Sequence, residues 1–219
     1  MEGIALISGG KDSIYAMYLA MQQGIHVNKI INIIPEKFSF MYHFPNIDIV
    51  KYIAESIGID LYQFKISDNV NELERLLNKF DENIFISGAI ESEYQKSRLD
   101  LVATYLNKVH YAPLWRKNPF KILEELIDSG FKAKIVSVSA EGLSDNFLGM
   151  NIDNYFIEKI KFLNKKYGIH PCGEGGEYES IVLDGPIFNK IIKIKDYEKI
   201  IDGSFYILNI KEIEFENKV

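Results

Sequence analysis

Ser8-Gly9-Gly10-Lys11-Asp12-Ser13 follows an apolar run, Ile4, Ala5, Leu6 and Ile7, and opens an amphipathic one carried by Ile14, Met17, Tyr18 and Met21. A strand, a glycine turn and a helix in that order make a phosphate-gripping corner. The glycines let the backbone bend through conformations closed to other residues, so that successive N–H groups converge on one anion at the positive end of the helix. Lys11 adds a full charge, and Ser8 and Ser13 add hydroxyl donors. The spacing departs from the Walker pattern and from the Gly-x-Gly-x-x-Gly dinucleotide turn. An ordinary βα corner would share the glycines, but it has no use for the lysine, the aspartate and both serines together.

Outward from this corner, helical and strand patterns alternate. Residues 27–34 read as a buried parallel strand, and Asn46 is placed to cap a helix carried by Ile47, Val50, Ile53, Ala54 and Ile57 that stops at Gly58. Strand 61–66, helix 70–80, strand 84–86, helix 92–106 and a short strand near Tyr111 follow. A helix with Ile122, Leu123, Leu126 and Ile127 ends at Gly130, and 133–138 closes the series. Repeated β-α units demand a parallel sheet covered on both faces, an α/β Rossmann-like domain over 1–141. From Gly142 the pattern changes to one helix (Phe156, Ile160, Leu163) and strand-like runs at 180–183, 187–194 and 205–213. A smaller α+β substrate-binding domain over 142–219 is expected there.

Composition sets limits. A chain of 219 residues, 47% hydrophobic and 13% aromatic, can bury a substantial core. No apolar run approaches the roughly 20 residues of a membrane span, and Met1-Glu2 leads directly into the first strand, so the expected location is cytoplasmic, with no membrane partner. The single cysteine, Cys172, excludes an internal disulfide framework and a Cys-x-x-Cys pair. A formal charge of −6 argues against an extended nucleic-acid surface, which would be basic. Only Arg75, Arg98 and Arg116 are arginines, so each is worth placing. Arg75 falls in a helical pattern as part of a solvated face.

Ligands of parallel α/β sheets sit beyond the carboxyl ends of the strands, near the point where strand order reverses. Four further clusters fall where loops should face that end. Ser39-Phe40-Met41-Tyr42-His43 reads either as a wall of the nucleotide pocket, with Met41 and His43 lining it, or as a turn with core aromatics. In the stretch from Gly88 to Arg98, Gly88 ends a buried strand, and Tyr94 and Arg98, at i and i+4, share a helical face beside Gln95. A capped surface helix would explain the same residues. Trp115 immediately precedes Arg116 and reads as a packed ring or as part of the substrate site. In His170-Pro171-Cys172-Gly173-Glu174-Gly175-Gly176-Glu177-Tyr178-Glu179-Ser180, three glycines among three glutamates suggest a loop that receives a cation, whether Mg²⁺, ammonium or a charged substrate, with Tyr178 offering a cation–π face. An exposed acidic loop is the plainer alternative. Cys172 has no second thiol and no activating base nearby in sequence, which favours a structural or pocket-lining role.

The order SGGKDS, SFMYH, GAIESEYQKSR, PLW and CGEGGEYES followed by Leu183-Asp184 resembles the diphthine–ammonia ligases, a branch of the ATP pyrophosphatases that share the short SGG-x-DS loop. The resemblance runs over essentially the whole chain. The family usually has threonine where Ser180 stands, and this chain lacks the extra C-terminal domains of long eukaryotic members, looking like the short archaeal form. The resemblance implies ATP and Mg²⁺ as cofactors and cleavage to AMP and pyrophosphate. It implies ammonia as co-substrate and, as acceptor, translation elongation factor two carrying diphthine. It further implies Ser8, Gly9, Gly10, Lys11, Asp12, Ser13, Met41, His43, Gly88, Tyr94, Gln95 and Arg98 as nucleotide-binding, with Lys11, Asp12 and Ser13 acting in catalysis. Trp115, Glu174, Gly175, Gly176, Glu177, Tyr178 and Glu179 would face the acceptor. Metal ligands, oligomeric state (a homo-oligomer included) and the general base are left open. A tRNA-modifying ATP pyrophosphatase and a non-catalytic nucleotide sensor are the alternatives.

Overall fold

The computed structural model describes residues 1–35, 46, 48–66 and 69–218. In chain order its elements are β1 (Glu2–Leu6), α1 (Lys11–Gln22), β2 (His26–Pro35), α2 (Ile49–Ile57), β3 (Asp60–Ile66), α3 (Val70–Leu77), β4 (Ile84–Ile86), α4 (Glu93–Tyr105), β5 (Val109–Tyr111), α5 (Pro119–Asp128), β6 (Lys132–Val138), α6 (Asn154–Tyr167), β7 (Tyr178–Asp184), β8 (Lys190–Asp202) and β9 (Phe205–Asn217), with a short 3-10 turn at Asp145–Phe147. They divide into two compact units: Met1–Ser8, Asp12–Phe44 and Ile59–Arg116 form the first, and Gly9–Lys11, Pro45–Gly58 and Lys117–Val219 the second. Among the described residues no helix is long and apolar enough to cross a membrane.

The first unit is built on a five-stranded, all-parallel sheet in the order β3-β2-β1-β4-β5, a Rossmann-like arrangement. On one face Ile4, Ile31 and Phe85 from three strands meet Leu73, Leu76 and Leu77 of α3 and Val102 and Ala103 of α4. The 73, 76, 77 spacing gives α3 a single apolar stripe, continued by Phe80 just beyond its end, which is why it packs on the sheet. Asn69 caps α3 by accepting from the Asn71 N–H, and Ser92 caps α4 by accepting from that of Gln95, each stabilising its helix by about 1 kcal/mol. β1 sits between β2 and β4, so the chain leaves its carboxyl end in one direction toward β2 and reaches β4 on the other side. That reversal puts the loops after β1 and β4 side by side.

The second unit is built on a four-stranded antiparallel sheet in the order β7-β6-β9-β8. Here the structure corrects the sequence reading: residues 133–138 were expected to close the parallel series, whereas β6 pairs antiparallel with both β7 and β9. Its residues Ala133, Ile135, Val136 and Val138 are all buried, and an apolar segment of that kind does not record the direction of its neighbours. β6 belongs to the second unit, which takes in all of Lys117–Val219 together with Gly9–Lys11 and Pro45–Gly58. α2 also starts later than expected. Its first residue is Ile49, and Asn46, in a left-handed conformation at φ 71°, instead donates to the Leu208 carbonyl and accepts from the Ile210 N–H. Its expected end holds, since Gly58 at φ 80° closes the helix through a bond to the Ala54 carbonyl.

Candidate active site

Residues 8–13 connect β1 to α1. Gly9 adopts φ 90°, the left-handed region in which a side chain is strained, and a Cβ there would also meet Ile49 Cγ2 at 3.0 Å. In the first unit, Ser8 and Ser13 close the ends of the turn on each other, with the Ser8 N–H donating to Ser13 Oγ and the two hydroxyls 3.2 Å apart. Two neighbours brace this corner. On the β2 side, buried Asn32 donates its amide to the Ile7 carbonyl at 2.8 Å and accepts from Gln63. On the β4 side, Gly88 packs directly on the first turn of α1: a Cβ there would lie 2.6 Å from Asp12 C and from Ser13 N. Gly88 is thus a position where the backbone needs close approach.

The residue before it opens a buried polar chain. Ser87 Oγ lies 2.7 Å from His110 Nε2, and His110 Nδ1 lies 2.7 Å from Asp100 Oδ1. Burial pushes the His110 pKa below its ordinary 6.5, outweighing the opposing pull of Asp100. Burial would raise the Asp100 carboxyl, but hydrogen bonds from Lys96 and His110 outweigh it and hold the group below its usual range. Sequence reading missed Asn32 and this chain. The only signal is a histidine in the short strand Val109–Tyr111, and its partners lie ten and twenty-three positions away.

On α4, Tyr94 and Arg98 do share a face: the guanidinium donates to the Tyr94 hydroxyl and lies 4.8 Å over its ring. Gln95 beside them is exposed. The Trp115 ring is flanked by two cations, Lys96 Nζ at 5.3 Å and Arg116 Cζ at 5.6 Å, and Arg116 also pairs with Glu93. Met41 and His43 lie outside the described residues.

In the second unit, Gly9, Gly10 and Lys11 meet the 170–180 stretch. The Lys11 N–H donates to Ser180 Oγ at 3.3 Å, the Val182 N–H donates to the Gly9 carbonyl, and the buried Lys11 ammonium donates to the Cys172 carbonyl at 2.5 Å. That ammonium also lies 4.8 Å over the ring of Tyr178, which is buried, packs edge-on against Phe156 and donates its hydroxyl to the Pro171 carbonyl. The cation on Tyr178 is therefore Lys11. Cys172 is buried and donates its thiol to the Pro119 carbonyl.

The glutamates of the stretch separate into different roles. Glu177 braces the turn, its two oxygens accepting from the N–H groups of His170 at 2.9 Å and Gly175 at 2.8 Å. His170 Nδ1 in turn accepts from the N–H groups of Cys172 and Glu174, which places the ring proton on Nε2. Gly176 is exposed at the tip of the turn, its carbonyl receiving the Ser139 hydroxyl. Glu179 faces Ser137 of β6 across the ladder, and burial pushes its carboxyl up. Glu177→Gln keeps one acceptor and loses the charge, so it is expected to destabilise the protein by about 1–2 kcal/mol. Urea unfolding reads this directly, and an unchanged midpoint would remove Glu177 as a brace.

A parallel sheet with a serine-capped glycine turn at its switch point defines a nucleotide-using enzyme of the PP-loop class. The family model described as diphthamide synthase N-terminal domain matches residues 1–107, and that described as diphthamide synthase C-terminal domain matches 118–215. The diphthine–ammonia ligase of Homo sapiens is 34% identical over 255 aligned residues, covering 100% of this chain and 94% of that protein. That of Danio rerio is 35% identical, covering 92% and 89%. That of Schizosaccharomyces pombe is 34% identical over 96% of this chain, which spans 39% of that protein's length. The chain belongs to the diphthine–ammonia ligase family, a family of ATP-dependent ligases.

Proposed function

We propose that the chain completes diphthamide on translation elongation factor two, adenylating the diphthine carboxylate with ATP and replacing AMP by ammonia. Support comes chiefly from the turn at residues 8–13, closed by its own serines and backed by Gly88, in a chain similar to these ligases along its whole length. A carboxylate is a poor acyl donor because its leaving group would be oxide. Attack of its oxygen on the α phosphorus expels pyrophosphate and gives a mixed anhydride, from which the ammonia nitrogen then displaces AMP, with two protons lost from the ammonium.

The turn's part is electrostatic. Its N–H groups and hydroxyls stabilise charge on the departing pyrophosphate, and no covalent enzyme intermediate is needed. Magnesium fits the donor set of Asp12, Ser8 and Ser13, because Mg²⁺ takes one or two carboxylates and fills its remaining positions with water and phosphate oxygens. Among the described residues no three His, Cys, Asp or Glu side chains gather, so the ion would arrive with the nucleotide, neutralising phosphate charge. Arg98, Tyr94 and Gln95 are assigned to the nucleotide or acyl-adenylate, and Trp115, Glu174 and Glu179 to the acceptor. Within the second unit Tyr178 seats Lys11 and Glu177 folds the 170–180 turn.

Product analysis is the test. Incubation with ATP, Mg²⁺, ammonium and elongation factor carrying diphthine is expected to yield AMP, pyrophosphate and amidated factor in equal amounts. ADP and phosphate as the coupled products, or AMP formed in response to tRNA and not to diphthine, would overturn the assignment.

A further inference from the structure

A buried imidazole is costly to place in a core unless both its nitrogens are hydrogen-bonded, and a buried polar network satisfied in this way rigidifies what it joins. The His110 side chain is 1% exposed, and its ring is addressed from two sides. Asp100 on α4 accepts at Nδ1, which fixes the proton there, so Nε2 is left as an acceptor for the Ser87 hydroxyl. Ser87 is itself buried and donates its N–H to the Tyr111 carbonyl, so both its backbone and side chain are tied to β5. The arrangement has the order of a hydrolytic triad, yet serine and histidine are both closed to solvent, which leaves no approach for a substrate. What lies next along the chain is Gly88, whose Cα abuts the Asp12–Ser13 backbone.

We propose that His110 is a positioning residue for the phosphate turn: held neutral between Asp100 and Ser87, it fixes the Ser87–Gly88 backbone and through it the first turn of α1. The inference rests on the nucleotide site proposed above. Among the described residues the charged groups facing His110 are Asp100 and Lys96, both on α4, and from the β4 side it meets the Ser87 hydroxyl. Protonation of Nε2 turns the acceptor into a donor and forces the Ser87 hydroxyl to reorient. The effect has a definite sign: grip on nucleotide is full above the His110 pKa, which lies below 6.5, and weakens as pH falls through it.

The experiment is calorimetric titration of the full chain with Mg²⁺ and a non-cleavable α,β-methylene ATP analogue between pH 8 and pH 5, for the unchanged protein, Ser87→Ala and His110→Gln. Because the analogue's phosphates titrate identically in all three, only differences between proteins are read. At pH 8 Ser87→Ala is expected to bind about tenfold more weakly, as for one lost buried hydrogen bond. In both variants the additional acid weakening seen in the unchanged protein should disappear. Nitrogen NMR of the histidines is expected to show one ring in the neutral Nδ1–H form, and Ser87→Ala should shift its Nε2 resonance; this holds as a second readout if His110→Gln does not fold. Identical affinity and acid dependence in Ser87→Ala and the unchanged protein overturn the positioning role alone. Failure of the unchanged protein to bind the analogue overturns the nucleotide reading and this role together.

Discussion

Gly88→Ala is expected to lower the rate of AMP formation about 100-fold or more while leaving a folded protein. The added Cβ would stand 2.6 Å from Asp12 C and Ser13 N and 2.8 Å from the Asp12 carbonyl oxygen, all backbone atoms, which cannot turn aside as the end of a flexible side chain would. The first turn of α1 must move, and a shift near 1 Å in a group that aligns reacting phosphates is enough for a loss of about that size. The stability cost of such overpacking is smaller, about 1–3 kcal/mol. AMP release under saturating acceptor, with circular dichroism as the check on folding, measures it. Full activity would mean that the β4 end and the turn are independent.

Lys11→Met is expected to have an effect of similar size for a different reason. Methionine keeps the aliphatic stem but removes the ammonium that bonds the Cys172 carbonyl and lies over Tyr178. A buried carbonyl loses its donor, about 1–3 kcal/mol, and the phosphate turn loses its positive charge. Guanidinium unfolding should therefore show a lower midpoint, and AMP formation should fall about 100-fold or more, as for removal of a group acting on developing charge. A lowered midpoint with undiminished AMP formation would confine Lys11 to holding the turn.

What the sequence disclosed follows from how local each feature is. The glycine turn, the stop at Gly58 and the stripe on α3 are written within a few consecutive residues, and all are present, whereas the cap expected at Asn46 is not, since α2 starts at Ile49. The Tyr94–Arg98 pairing was equally legible, being one helical turn apart. The direction of the neighbours of β6 was not, because it depends on β7 and β9, strands tens of residues away. Three glutamates between glycines suggested a site for a foreign cation, whereas the carboxylate of Glu177 is met by N–H groups of its own turn and the ring of Tyr178 by Lys11. Asn32, Ser87, Asp100 and His110 carry no pattern at all. Each is an ordinary polar residue until the sheet brings its partner alongside.

The bonds from Lys11 to Cys172 and Ser180 span 161 and 169 positions of chain. During synthesis the parallel strands β1 to β5 are complete once residue 111 has been made, but Gly9 to Lys11 must then wait for residues 172–182 to emerge from the ribosome before meeting their partners. Contacts of such separation form late, since the intervening chain must be ordered first. A nascent or prematurely terminated chain lacking residue 180 therefore has the sheet without the finished grip.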